Sequence, residues 1–293
     1  MSTVRPFIDT HVHFWDHNVE GLHWPWLEPG FSHRKNTNMA TLDAPLFTAP
    51  EFLAEADGAN VGGVVHIQAI DGVEDYAVET AWLQSMSDRL GEPRAMVASC
   101  KVHEPDAVAV LARHGRYKRC VGVRDISTSK RLDAEAAAPA LSDIAARGWS
   151  FEARRHHDDF AIFEEIAVRW PDLTLVMSQG CLPLERTDDE RRAWTEAAKR
   201  LAPHPNIVCK ISAVAGASDP NWTIESIRPW ILGCVEVFGA DRCMFGTNWP
   251  RGRLFGSYAD LVAAYREIIG KLGESDQDDL MYRTATRVYD ITL

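Results

Sequence analysis

The sequence predicts a (β/α)8 barrel of the TIM type, and three observations predict it. Eight short apolar segments alternate with eight helical patterns along the 293 residues, which is the rhythm of eight strand–helix units. The second segment, 61–69, is short and rich in β-branched residues, as a strand buried on both faces is. No glycine-rich nucleotide loop follows the first strand, which sets aside a doubly wound open sheet.

Taken in order, the strands fall near 6–11, 61–69, 94–101, 119–125, 149–154, 173–179, 206–212 and 242–248. Helices are expected near 74–90, 105–115, 133–147, 158–170, 188–202, 223–239, 257–272 and 276–289. The 158–170 pattern carries a clear apolar stripe, with Phe160, Phe163, Ile166, Ala167 and Trp170 at steps of three and four residues. No internal repeat, linker or low-complexity stretch divides the chain, so one domain spanning 1–293 is the economical organisation. The long interruption is 14–50, which holds Trp15, Trp24, Pro25, Trp26, Leu27 and Pro29. On a barrel it lies over the C-terminal mouth, where its aromatics either wall a substrate or seal the barrel end as a satellite core.

Composition narrows the function classes. The chain is 46% hydrophobic and 25% charged, a globular balance. Its net charge of −11 argues against a nucleic-acid partner, which needs a basic face. No apolar run approaches the ~20 residues of a membrane span, and no apolar signal core precedes the first strand. The six cysteines are scattered without a Cys-x-x-Cys pair and fall mostly in strands, so buried reduced thiols are expected. Together these features suggest a cytoplasmic enzyme acting on a small molecule.

The first strand ends in Asp9-Thr10-His11-Val12-His13. Strict alternation puts Asp9, His11 and His13 on one face and Ile8, Thr10 and Val12 on the other. A His-x-His pair at a strand end can turn two imidazoles to one metal ion or one substrate, or it can simply pack. The same reading of the other strand ends offers His66 and Gln68, Lys101 and His103, Arg124, Glu152 and Arg154, Gln179, Lys210 and Ser212, and Asn248. Barrel interiors are normally filled by branched apolar residues, so polar ends that converge read as a site. His156-His157-Asp158-Asp159 follows the fifth strand, and its acids suit the start of the next helix.

These residues carry a resemblance. The chain resembles the amidohydrolase superfamily, specifically its group of sugar-lactone and dicarboxylate-lactone hydrolases. The match rests on Ile8 to Trp15, Pro25-Trp26-Leu27, Val65 to Ala69, Val121-Gly122-Val123-Arg124, Asn206 to Ser212, Asp241 to Pro250 and Thr284 to Tyr289. The resemblance implies the barrel and a lactonase chemistry. Two positions depart from the family pattern. The strand-6 histidine position falls on Gln179, and the strand-8 aspartate, a metal ligand and general base, falls on Asn248. Where a histidine often follows the strand-4 arginine, Asp125 stands. Amides are weak ligands and cannot serve as bases near neutral pH. The resemblance therefore implies either no metal or one divalent ion, zinc foremost, held by His11 and His13 with Glu152 as a third donor.

The roles that follow are catalytic for His11, His13, Arg124, Lys210 and Asn248, with Glu152 or Asp125 as alternative bases to a histidine. Trp15, Trp26, Gln68, Glu152, Arg154, Gln179 and Trp249 are expected to bind substrate. The loss of the aspartate charge, and Arg154, Arg155, Arg251 and Arg253 near strand ends, favour an anionic substrate. A non-oxidative decarboxylase or another C–O or C–N hydrolase is the second enzyme reading, and a non-catalytic binding barrel the third. A homo-oligomer is compatible with the sequence.

Overall fold

The computed structural model describes residues 4–28 and 42–293. Eight parallel strands run in one sheet in chain order: β1 (Phe7–Val12), β2 (Val61–Ile67), β3 (Ala95–Ser99), β4 (Cys120–Arg124), β5 (Ser150–Ala153), β6 (Thr174–Met177), β7 (Ile207–Ile211) and β8 (Cys243–Phe245). The last closes on the first beyond its own end. Val12 bridges Trp249 in parallel, His13 N–H donates to the Trp249 carbonyl at 2.8 Å, and Trp249 N–H donates to the His11 carbonyl at 3.2 Å. The fold expected from the sequence is the one observed.

The interior is filled as branched apolar strand residues require. Ile8, Val65, Ile67, Val97, Val176, Val208 and Met244 form one cluster, joined by Ala285, Tyr289 and Ile291 from the C-terminal segment. Leu293 reaches Gly62 at the start of β2, so this segment plugs the end where the strands begin. The opposite end, where the strands finish, is left for a site.

Helices form the outer layer: α1 (Ala49–Glu55), α2 (Ala77–Leu90), α3 (Ala107–His114), α4 (Ala138–Ala146), α5 (Ala161–Arg169), α6 (Asp188–Lys199), α7 (Ile224–Phe238) and α8 (Tyr258–Ile269). The chain then runs through Glu274–Asp278, a π turn at Asp279–Arg283 and Thr284–Val288. Among the described residues no helix is long and apolar enough to cross a membrane. All six cysteines are buried and free.

Three local features depart from the sequence reading. The 158–170 helix begins late, because His157–Asp159 is a 3-10 turn before α5. The sixth and eighth strands are cut short, because Gln179 and Asn248 adopt left-handed backbone at φ +57° and +60° and turn the chain across the mouth. The 14–50 interruption runs into α1, which hydropathy did not single out; Thr48 and Glu51 form its capping box. Trp15 and Phe47 pair across a two-stranded ladder, with Trp15 fully buried and donating to the Ala44 carbonyl at 2.9 Å. Trp24 is buried against Trp82. These two aromatics therefore join the main buried core, and Trp15 lines neither cavity of the barrel mouth as the substrate wall expected of it would. Pro29 and the rest of 29–41 lie outside the described residues.

Candidate active site

β1 departs from strict alternation, and the departure builds the site. Its register on β2 shifts between Asp9 and Val12. Ile8 points into the barrel interior, while Asp9 turns outward to β8 and α8. Its carboxylate accepts from Thr247 Oγ1 at 2.5 Å, Thr247 N at 2.9 Å, His11 N at 3.1 Å and Tyr258 Oη at 3.1 Å. Burial nonetheless pushes its pKa up to about 6. Asp9 thus does not share a face with the histidines, as alternation implied. It pins the strand that carries them.

His11 and His13 meet edge to face, with ring centroids 5.0 Å apart. His11 is fully buried; its Nδ1 bonds Ser212 Oγ at 2.8 Å and its Nε2 has no hydrogen-bond partner. His13 Nδ1 donates to the Ile67 carbonyl at 2.8 Å, which fixes the tautomer and leaves a lone pair on Nε2. That lone pair lies 3.3 Å from Asn248 Oδ1, which is also an acceptor and does not take it up. Burial holds both imidazoles well below their ordinary pKa, reinforced at His11 by His13, Lys210 and Arg124 and at His13 by Arg124 and His66. Both are therefore neutral at neutral pH.

Two adjoining cavities of about 200 and 230 Å³ open at this end of the barrel, both walled by Arg154, Gln179, Asn248 and Arg251. One adds Ser212 and Arg186, and the other adds His13 and Arg124. Arg124 is held by Gln68, donating from Nε to its side-chain oxygen at 2.9 Å and from Nη2 to its carbonyl at 2.7 Å. Arg154 donates one bond, to the Leu182 carbonyl at 3.0 Å, and its Nε is unpartnered. Arg186 stacks over Trp230 at 4.8 Å with Nε and Nη1 unpartnered. Among the described residues none of Arg124, Arg154, Arg186 and Arg251 has a carboxylate in ion-pair reach. Burial lowers the pKa of both Arg124 and Arg186 to about 10, and lowers that of Arg251. They remain cations in a chain of net charge −11.

The remaining expected residues sit as follows. Gln68 is a support for Arg124, 1% exposed, rather than a wall of the cavity. Trp26 stands 5.8 Å from His13, donating from Nε1 to the Ala69 carbonyl. Trp249 turns away to Glu55 and Tyr258, so it is a packing residue, not the substrate contact expected. Lys210 and Glu152 are fully buried and bonded to each other at 2.5 Å; neither lines the cavities. Lys210 touches no substrate space, as a catalytic role would need. Asp125 borders a cavity, but its oxygens take Ser127 N and Val102 N, which removes it as a base. His66 faces outward, between Phe14 and Glu79. Lys101 pairs with Asp71, Arg253 with Glu55 and Arg155 with Asp159, all away from the cavity walls. Arg186 was missed; it lies past β6, beyond any strand end, and only its unpartnered nitrogens reveal it.

The amidohydrolase family model matches residues 8–291. The chain belongs to the amidohydrolase family. Its relatives include the uncharacterized protein y4mH of Sinorhizobium fredii, 28% identical over 97% of this chain and 98% of that one. An L-fucono-1,5-lactonase of Burkholderia ambifaria is 26% identical over 87% of this chain and 84% of its own. Among solved structures, an amidohydrolase of Burkholderia multivorans with bound zinc superposes with a TM-score of 0.81 at 22% identity, covering 98% of this chain and all of the other. Family membership supports a hydrolase.

A family zinc ion asks more of the site than these residues give. His11 Nε2 is an unpartnered buried donor and fits a metal ion. A third strong donor is missing. Glu152 is taken by Lys210 and Tyr289, and amides occupy positions 179 and 248. Among the described residues the grouping of three His, Cys, Asp or Glu donors lies elsewhere, at His156, His157 and Asp158. Two imidazoles and an amide fall short of the three protein ligands of a catalytic zinc.

Proposed function

We propose that this amidohydrolase hydrolyses a sugar-derived or carboxylated lactone, with His13 as general base and no step through a metal. One observation carries the reading: four arginines without carboxylate partners converge on cavities that also expose a neutral imidazole lone pair. Unneutralised, partly buried cations carry a cost, and an anionic ligand relieves it. A carboxylated substrate would take bidentate bonds from Arg154 and Arg251, which line both cavities.

The chemistry follows from the donors. His13 Nε2 accepts a proton from a water whose oxygen attacks the lactone carbonyl. Arg124, fixed by Gln68, donates to the oxygen that gains the negative charge. The ring C–O bond then breaks, and the proton on His13 passes to the departing alkoxide, leaving a hydroxy acid and neutral imidazole. The amides of Gln179 and Asn248 bind substrate hydroxyls. His11 acts through its neighbours: it packs on His13 and anchors β1 to Ser212, which makes it a positioning residue.

The experiment is a proton-release screen over aldonolactones and carboxylated lactones, with and without a chelator. Turnover that survives chelation supports the reading, and His13→Ala should then lower kcat by about 10²–10⁴. Turnover lost on chelation and restored by zinc overturns the metal-free step. No turnover on any lactone moves the site toward a decarboxylase or a binding protein.

A further inference from the structure

We propose that His156, His157 and Glu190 form a second, non-catalytic site for a divalent cation of zinc type, on the rim of the barrel. The three belong to different elements. His156 and His157 follow β5 at a 3-10 turn, and Glu190 lies in the first turn of α6. None of them lines the catalytic cavities.

The two imidazoles lie nearly face to face, centroids 4.0 Å apart and tilted by 36°. His156 Nε2 and His157 Nδ1 both stand 3.8 Å from the same oxygen, Glu190 Oε2. That distance is too long for hydrogen bonds. His157 is only 5% exposed, yet its Nδ1 and Glu190 Oε2 are both buried without a hydrogen-bond partner. Buried polar atoms that face each other unsatisfied mark a place for a ligand. Ligands on a tetrahedral zinc at ~2.0–2.2 Å stand about 3.4 Å apart, so each of the two nitrogen–oxygen separations exceeds that spacing by only a few tenths of an ångström.

The opposite edges of the rings are held too. Asp158 puts one oxygen 3.1 Å from His156 Nδ1 and the other 3.6 Å from His157 Nε2. The Asp158 backbone N–H approaches His156 Nδ1 less closely, at 3.5 Å. A carboxylate on the far nitrogen orients a metal-binding imidazole and raises its basicity. His156 is half-exposed, which leaves a coordination position open to water. A cation there would tie α6 to the loop that begins with Arg154, a wall of the catalytic cavity.

The test is calorimetric titration of the chelator-treated full chain with zinc chloride, alongside thermal unfolding with and without zinc. The wild type should bind an equivalent that Glu190→Gln and His156→Ala remove and His13→Ala retains. Asp158→Asn should weaken it by about 10–100-fold. Zinc should raise the unfolding temperature of wild type and of His13→Ala, but not of Glu190→Gln. His156→Ala alters a half-exposed side chain and guards against a folding artefact. No zinc binding, binding unchanged in both rim variants, or binding abolished by His13→Ala alone would overturn the proposal. The last result would place the ion in the catalytic centre.

Discussion

Lys210 Nζ donates to Glu152 Oε1 at 2.5 Å, and Tyr289 Oη donates to the same oxygen at 2.6 Å. The ammonium also bonds the Thr10 carbonyl at 3.1 Å. The contact joins β5, β7 and the C-terminal plug beneath the histidines. Burial lowers the Lys210 pKa to about 8, against the pull of Glu152. Removing one partner of such a pair strands a buried charge, at a cost of about 3–5 kcal/mol, whereas removing both is far milder. Lys210→Met and Glu152→Gln should therefore each destabilise strongly in urea unfolding, and the double variant should recover most of the loss. Additive single effects would show that the two residues do not act as a pair.

The arginines make the binding prediction. Arg251 lines both cavities and has no carboxylate partner among the described residues. A charged hydrogen bond contributes about 1.5–3 kcal/mol, which is roughly 10–100-fold in affinity. Arg251→Gln should raise KM by that factor for a carboxylated lactone and leave a neutral lactone little changed. Equal losses on both substrates would mean that Arg251 shapes the cavity rather than reading the charge.

The barrel was legible because its signal is collective: eight buried apolar segments and eight helical patterns leave few other packings. The histidine pair and the arginines at positions 124 and 154 were legible because strand ends converge in any barrel. What sequence could not supply was which polar ends find each other first. Lys210 and Glu152 are drawn together across the floor, where both are fully buried and neutralise each other. Asp9 leaves the histidine face because one register shift on β1 breaks the alternation. Trp249 turns outward because Asn248, with φ at +60°, redirects the chain just before it. Each of these depends on backbone geometry that residue spacing does not encode.

Glu79 yields a pH prediction outside the catalytic centre. It is 1% exposed on α2, accepts from Ala69 N at 3.1 Å, and is 3.9 Å from His66 Nε2. Burial raises its pKa to about 8, and the backbone bonds from Ala69 and Ile70 only partly oppose this. His66 offers no compensating charge, because burial holds its pKa down to about 3. The folded protein thus keeps a proton that the unfolded chain releases at ordinary carboxylate pH. Stability must fall as pH rises from there through about 8. The ceiling on that loss is about 4–5 kcal/mol. Glu79→Gln keeps the acceptor oxygen and removes the proton, so its stability should be flat over this range. Urea unfolding at pH 5 and pH 9 decides it: near-equal stabilities at the lower pH and a more stable variant at the higher one. A variant that tracks wild type at both would clear Glu79 of any titration.

Gly246 sets the distance between the barrel seam and the histidines. A Cβ there would fall 2.6 Å from His11 Cβ, 3.0 Å from His11 N and 3.0 Å from Thr10 Oγ1. None of these is the far end of a flexible side chain, so β1 itself must shift to admit a methyl group. The same stretch of β1 is fixed by Asp9 on one side and by the His11–Ser212 bond on the other. Overpacking of this kind costs about 1–3 kcal/mol, and displacement by ~1 Å can cost a hundredfold in rate. Gly246→Ala should remain folded, with a modestly lower unfolding midpoint and a kcat reduced by about 10–100-fold, while KM for a carboxylated lactone stays near wild type because the arginines are untouched. A fall in midpoint with unchanged kcat would mean that the histidines tolerate the shift. Their close approach to β8 would then serve the barrel seam and not the chemistry.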